Sequence, residues 1–177
     1  MQCDEHERRE RDRLSYKPAQ VRILFVGEAP PASGRFFYHG DSGLYRAVRT
    51  TFLLAFPHLD EVDFLAAFQT LGCYLIDLCN RPVDNLDAGA RAAARSAGIP
   101  LLRRRLAEYR PRTVVILTRS IAPCVRQAQT QAHWSGVCLE TPYPGRWKRH
   151  REVFASLLVP MLQAQLSIRK LRAAVRR

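Results

Sequence analysis

The chain has 177 residues, a length that suits one domain with one substantial core. Hydrophobic residues make up 47% and charged residues 25%, an ordinary globular balance. Against that background, 28 Lys+Arg facing 16 Asp+Glu give a net charge of +12, the charge of a protein that meets a polyanion such as nucleic acid.

Several classes fall away at once. No apolar run approaches the roughly 20 residues that span a bilayer, and the polar opening MQCDEHERRERDR is not a signal peptide. Five cysteines (Cys3, Cys73, Cys79, Cys124 and Cys138) are odd in number and form no CxxC pair. That pattern argues against a disulfide framework and against a thiolate metal or iron–sulfur site. The histidines, His39 among them, lack metal-ligand spacing. These features describe a monomeric cytoplasmic chain with no metal, no cofactor and no membrane partner.

In chain order, residues 1–17 read as a charged arm without apolar periodicity. VRILFVG (21–27) is a buried strand ending in glycine, followed by the loop EAPPASGRFFYHGDSG. LYRAVRTTFLLAF (44–56) has helical spacing and stops before Pro57, and a second short helix fits near 60–69. CYLIDLC (73–79) is the second strand, with the irregular NRPVDNLD behind it. GIPLLRRRLAEY (98–109) is an amphipathic helix carrying Leu101, Leu102, Leu106 and Tyr109 on one face. TVVILT (113–118) is the third strand, and Ser120 is placed to cap the helix after it. GVCLE (136–140) is a short fourth strand leading into TPYPGRWKRH. A final helix runs through EVFASLLVPMLQAQL, and 164–177 form a basic tail.

Strands and helices alternate throughout, which predicts an α/β fold, a three-layer α/β/α domain over 18–163 with a central parallel sheet of about four strands. Such sheets hold their ligands at the carboxyl ends of the strands. Residues 27–43, 77–85, 118–121 and 140–149 therefore carry the candidate site.

Those same segments resemble a known family. GEAPPASGRFFYHGDSG is similar to the first motif of bacterial and archaeal uracil-DNA glycosylases of the GEAPG and GLAP branches. CYLIDLCNRP resembles their next strand, LRRRLAEYRPRTVVILT their helix-then-strand segment, and ETPYPGRWKRH stands where their second, HPSP-type motif lies. The resemblance covers roughly 20–160 in order and spacing. It implies an enzyme of base excision repair that flips a nucleotide out of DNA and hydrolyses its N-glycosidic bond, with uracil or a related deaminated base as substrate. The alternative is a catalytically weakened member that only binds damaged or single-stranded DNA.

Chemistry then suggests roles. Gly27 lets backbone approach a ligand, while Ala29, Pro30 and Pro31 form a stiff loop. Phe37 aligns with the family's stacking ring, and of the consecutive aromatics Phe36 and Phe37 only one is expected to point inward. An oxocarbenium-like transition state calls for a carboxylate that activates water and offsets positive charge on the sugar. Glu28 and Asp41 are candidates, Asp41 also reading as a turn residue or helix cap. Asp77 stands where the family has a base-reading asparagine; it reads the base, leaves that to Asn80, or is itself the catalytic carboxylate. Thr141 replaces the second-motif histidine, and Tyr143, Arg146 or a backbone N–H is left to take over its role. In the basic run after it, Arg146 or Trp147 is a candidate wedge, and Lys148, Arg149 and Arg151 are candidate phosphate contacts.

Overall fold

The structure is a computed structural model and describes residues 2–166; the basic stretch 167–177 lies outside the described residues. Four strands, β1 (Ile23–Gly27), β2 (Cys73–Asp77), β3 (Thr113–Ile116) and β4 (Val137–Glu140), pair in parallel in the order β2-β1-β3-β4. Around them lie α1 (Gln2–Ser15), α2 (Gly43–Ala55), α3 (Phe64–Thr70), α4 (Ala88–Tyr109), α5 (Ala122–Gln131) and α6 (Lys148–Gln165). α2 packs on α6 and α4 packs on α5, so the sheet is the middle of a three-layer α/β/α domain.

Local chemistry accounts for most element boundaries. The strands β1, β2 and β3 are apolar along their length because both faces are covered, and every residue in them is buried. Ser42 caps α2 by accepting from the Tyr45 N–H, Asp63 caps α3 through Leu65, and Asp87 caps α4 through Ala90. α2 ends before Pro57, as its sequence predicts.

α4 begins ten residues earlier than the apolar pattern indicates. Its first half, AGARAAARSA, has strong helix propensity but no apolar stripe, so periodicity is silent there. Gly98, the residue that follows, is there for a steric reason. A Cβ at that position would come 2.1 Å from the Leu78 carbonyl oxygen, so only glycine lets α4 cross the chain leaving β2. Ser120 does not cap α5; it lies in a 3-10 turn (Arg119–Ile121) that leads into the helix, and its hydroxyl faces Thr118.

The opening segment departs furthest from its sequence reading. Rather than a bare charged arm, residues Gln2–Ser15 form α1, held against the domain. Its inward face is built of arginine: Arg9 and Arg13 are both buried. A hydrophobic pattern cannot register a face that docks through charge. Tyr16 then stacks on Tyr38, with ring centroids 5.4 Å apart, and the Gln69 amide donates to the carbonyls of Ser15 and Lys17.

The two edges of the sheet are protected differently. β4 is partly exposed, and the Arg126–Glu140 ion pair charges its margin. β2 is fully buried although it is also an edge. At Leu75 the Tyr38 hydroxyl substitutes for a neighbouring strand, accepting from the N–H at 2.8 Å and donating to the carbonyl at 2.9 Å.

Candidate active site

All four strands point their carboxyl ends at one cavity of about 530 Å³. Gly27 and Asp77 meet at its floor, where β1 and β2 end in register. Asp77 is 7% exposed, and a Cβ on Gly27 would lie 2.6 Å from its Oδ1. The glycine therefore makes room for the carboxylate rather than for a special backbone angle. Burial pushes the Asp77 carboxyl above the usual carboxylate range; Arg13, whose Nη2 is 3.6 Å from Oδ2, opposes the shift without cancelling it.

Glu28 also lines the cavity, but its oxygens are occupied. Arg91 grips it with both Nε, at 2.7 Å, and Nη2, while Arg95 donates from Nε at 2.7 Å. Burial raises this carboxyl, and the hydrogen bonds and charges of the two arginines more than reverse it, leaving Glu28 below its ordinary value. A carboxylate so held is a weak base.

Three further candidates lie elsewhere. Asp41 is exposed and outside the cavity lining; its Oδ1 accepts from the Phe36 N–H at 2.8 Å, tying the loop closed while Ser42 does the capping. Asn80 is exposed and also outside the lining, because the chain has left the strand end by then. Thr141 is wholly buried, and both its N–H and its hydroxyl bond the Ile116 carbonyl, extending the β3–β4 pairing. Its side chain faces the sheet, not the cavity.

The aromatic loop folds inward more completely than its sequence predicts. Phe36, Phe37 and Tyr38 are all buried, at 2–3% exposure. The 3-10 turn Phe37–His39 fans the rings apart, and Tyr16, just past the end of α1, supplies extra cover over Tyr38. Each ring gains roughly 1.5–3 kcal/mol by burial, so the loop buries all three where covering structure permits. Phe37 still lines the cavity while packing edge-on against Tyr38 and Tyr45, and Ala29 and Pro30 complete that wall.

The opposite wall and rim come from the β4–α6 loop. Tyr143, Arg146 and Trp147 line the cavity and are exposed, with the Arg146 guanidinium 5.3 Å from the Trp147 ring. Lys148, Arg149 and Arg151 are exposed beyond the rim; Lys148 and Arg151 line a second groove between α2 and α6 with Arg46.

Residues given no role from the sequence line the cavity or stand behind its carboxylates: Arg91, Asp84 and His150 line it, while Arg95 and Arg13 reach Glu28 and Asp77. Arg91 and Arg95 carried a signal, a pair of cations four apart in RAAAR, on one helix face. Asp84 lies in the strand-end segment 77–85, lines the cavity, and accepts from the Ala32 N–H at 2.9 Å. His150 sits in the basic run, lines the cavity, and places Nδ1 3.2 Å from the Tyr143 carbonyl. Nothing local marks Arg13, whose role depends on how α1 docks.

Among the described residues no group of acidic, histidine or cysteine side chains is arranged to hold a metal ion. No described helix is long and apolar enough to cross a membrane. No curated protein matches the chain at a significant level. A family model does: that of the Uracil DNA glycosylase superfamily, whose members are glycosylase hydrolases acting on DNA, over residues 14–166. That match spans the sheet, the cavity and the basic loop together, and the chain belongs to the uracil DNA glycosylase superfamily.

Proposed function

We propose that this protein is a monofunctional DNA glycosylase that excises uracil or a related deaminated base, acting as a cytoplasmic monomer in base excision repair without a cofactor. The observation that carries this reading is Asp77, a buried carboxylate on the floor of a cavity of about 530 Å³ with an aromatic wall and a basic rim. A cavity of that size suits one flipped nucleotide.

In this reading the extruded base enters between the Phe37 wall and Tyr143. Asp77, rather than Glu28 or Asp41, faces the sugar, where a carboxylate offsets the positive charge of an oxocarbenium-like state and accepts a proton from the attacking water. Its environment suits that work better than that of Glu28, because a raised carboxyl is the stronger base. Glu28 instead stiffens the Gly27–Pro31 loop through α4. His150, with Nδ1 directed at the Tyr143 carbonyl, offers its other ring nitrogen to the departing base in place of the imidazole that Thr141 lacks. Trp147 enters the base stack, Arg146 supports it, and Lys148, Arg149 and Arg151 grip phosphates.

A second reading, DNA binding without cleavage, has support of its own. Thr141, which stands in place of the family's histidine, is turned into the sheet, and Asn80, the candidate to take over the asparagine's role, lies outside the cavity. Oligonucleotides carrying single uracil, hypoxanthine, xanthine or mismatched thymine separate the two. Base release followed by alkaline scission on one of them is the expected outcome. Binding to these oligonucleotides without scission on any establishes the second reading.

A further inference from the structure

The cluster around Asp77 contains more charge than the cavity alone accounts for. On α1, Arg13 is buried, with Nη2 2.9 Å from Glu10 Oε1 and 3.6 Å from Asp77 Oδ2. Glu10 in turn faces Arg105 of α4, its Oε2 3.5 Å from Arg105 Nη2. Among the described residues, Arg13 Nε and Nη1 are buried and find no hydrogen-bond partner. A buried guanidinium with two unmatched edges costs stability, and an apolar residue would fill the position at less cost. What the guanidinium supplies there is a positive field on the cavity-floor carboxylate. The family match begins at residue 14, so Arg13 precedes it.

We propose that Arg13 is a positioning residue for Asp77: α1 docks its guanidinium behind the carboxylate, orients it toward the cavity and favours its charged form. The proposal rests on the reading of Asp77 as the working carboxylate, and it makes α1 part of the active site.

The surroundings of Asp77 support this. Burial favours the neutral acid and Glu10 adds to that tendency, while Arg13, Arg105 and Arg9 favour the carboxylate, with Arg13 the largest of the three. The Tyr38 and Tyr143 hydroxyls and the Cys79 thiol also lie within its field, and burial raises all three. The same cavity is lined by Glu28, which Arg91 and Arg95 hold, and by Asp84, Arg146 and His150. Arg9 fixes the helix on the cavity loop, its Nη2 3.5 Å from the Pro31 carbonyl. The sign follows directly: removing the nearest cation raises the Asp77 pKa further, so activity that needs the carboxylate is lost at a higher pH on the acid side.

The experiment is a pair of titrations on the full chain. One records single-turnover base release against pH; the other follows the Asp77 side-chain carboxyl by carbon NMR, which reads the residue whether or not a base is cleaved. Arg13→Gln is expected to move both midpoints upward by about 1–3 pH units, the usual effect of an adjacent guanidinium on a carboxyl. Arg13→Lys is expected to restore most of the shift. Asp77→Asn removes the acid limb, and Arg13→Gln added to it changes the rate no further. Because Arg13→Gln risks undocking α1, Glu10→Gln provides a second measure, with an expected downward shift as a competing anion disappears. Carboxyl midpoints unmoved by either substitution overturn the proposal, as does a loss in Arg13→Gln that persists in the Asp77→Asn background. If the wild type releases no base from any substrate, the proposed enzyme fails, while the carboxyl titration still decides the role of Arg13.

Discussion

The carboxyl ends of β1 and β2 lie side by side, and each contributes one acidic residue to the same cavity, yet their surroundings oppose each other. Glu28, just past β1, is bound at both oxygens by Arg91 and Arg95 and held below its ordinary value. Asp77, closing β2, is more deeply buried, has among the described residues a single cation in ion-pair reach, 3.6 Å away, and is held above it. The difference lies in how many donors reach each carboxylate rather than in residue type. A carboxylate saturated by arginine ties structure together; one that is buried and underpaired is available for chemistry.

The sharpest way to break this comparison is Asp77→Asn, which alters charge with almost no change in volume. Single-turnover release is expected to fall by roughly a hundredfold or more, the usual scale for a lost acid–base group. Uracil release that rises instead would make Asp77 a reader of the base edge, since an amide both donates and accepts. A wild-type rate on every base would remove it from the site altogether.

Glu28 is expected to behave in the opposite manner. Glu28→Ala should cost about 2–3 kcal/mol in denaturant unfolding, the scale of charge-assisted hydrogen bonds, with a smaller effect on the rate of the folded fraction. Because its folded pKa is lowered, the stability it supplies is present above the ordinary carboxylate range and is lost as pH falls through the folded value. Glu28→Gln should therefore flatten the acid side of the stability curve. A large rate loss with unchanged stability would exchange the roles assigned to the two carboxylates.

Two smaller effects test whether the rim serves binding alone. Trp147→Ala should reduce excision from duplex DNA roughly tenfold, towards the low end of base–aromatic stacking at about 1–3 kcal/mol, and reduce it less on single strands. Equal losses on both would show that the ring opens no stack. Arg149→Ala should weaken binding to all sequences and lower the slope of log affinity against log salt by about one unit. An unchanged slope would place its guanidinium in solvent.

Much of this was legible in the chain itself. Uninterrupted apolar runs marked β1, β2 and β3 because a parallel strand is covered on both faces, and the alternation with helices set the layered architecture. The strand-end rule then directed attention to Gly27, Glu28, Asp77, Tyr143 and Arg146, all of which line the cavity. Within that frame the orientation of individual side chains was not legible. Asp41 and Thr141 belong to motif segments, yet one closes a loop and the other extends the sheet. Both Phe36 and Phe37 turned inward because each finds rings to pack on, Phe36 at Tyr38 and Phe37 at Tyr45 of α2 and Phe68 of α3.

By itself, then, the sequence determined which segments become strands, how they connect and where a ligand must lie, since these depend on apolar pattern and on local caps and breakers. The state of each carboxylate was decided only in three dimensions. Arg91 and Arg95 reach Glu28 from more than sixty residues away along the chain, at separations of 63 and 67. Arg13 reaches Asp77 from a helix whose inward face is charged. Charge acts through space and has no period along the chain, so no reading of hydrophobic pattern anticipates which cation stands behind which acid.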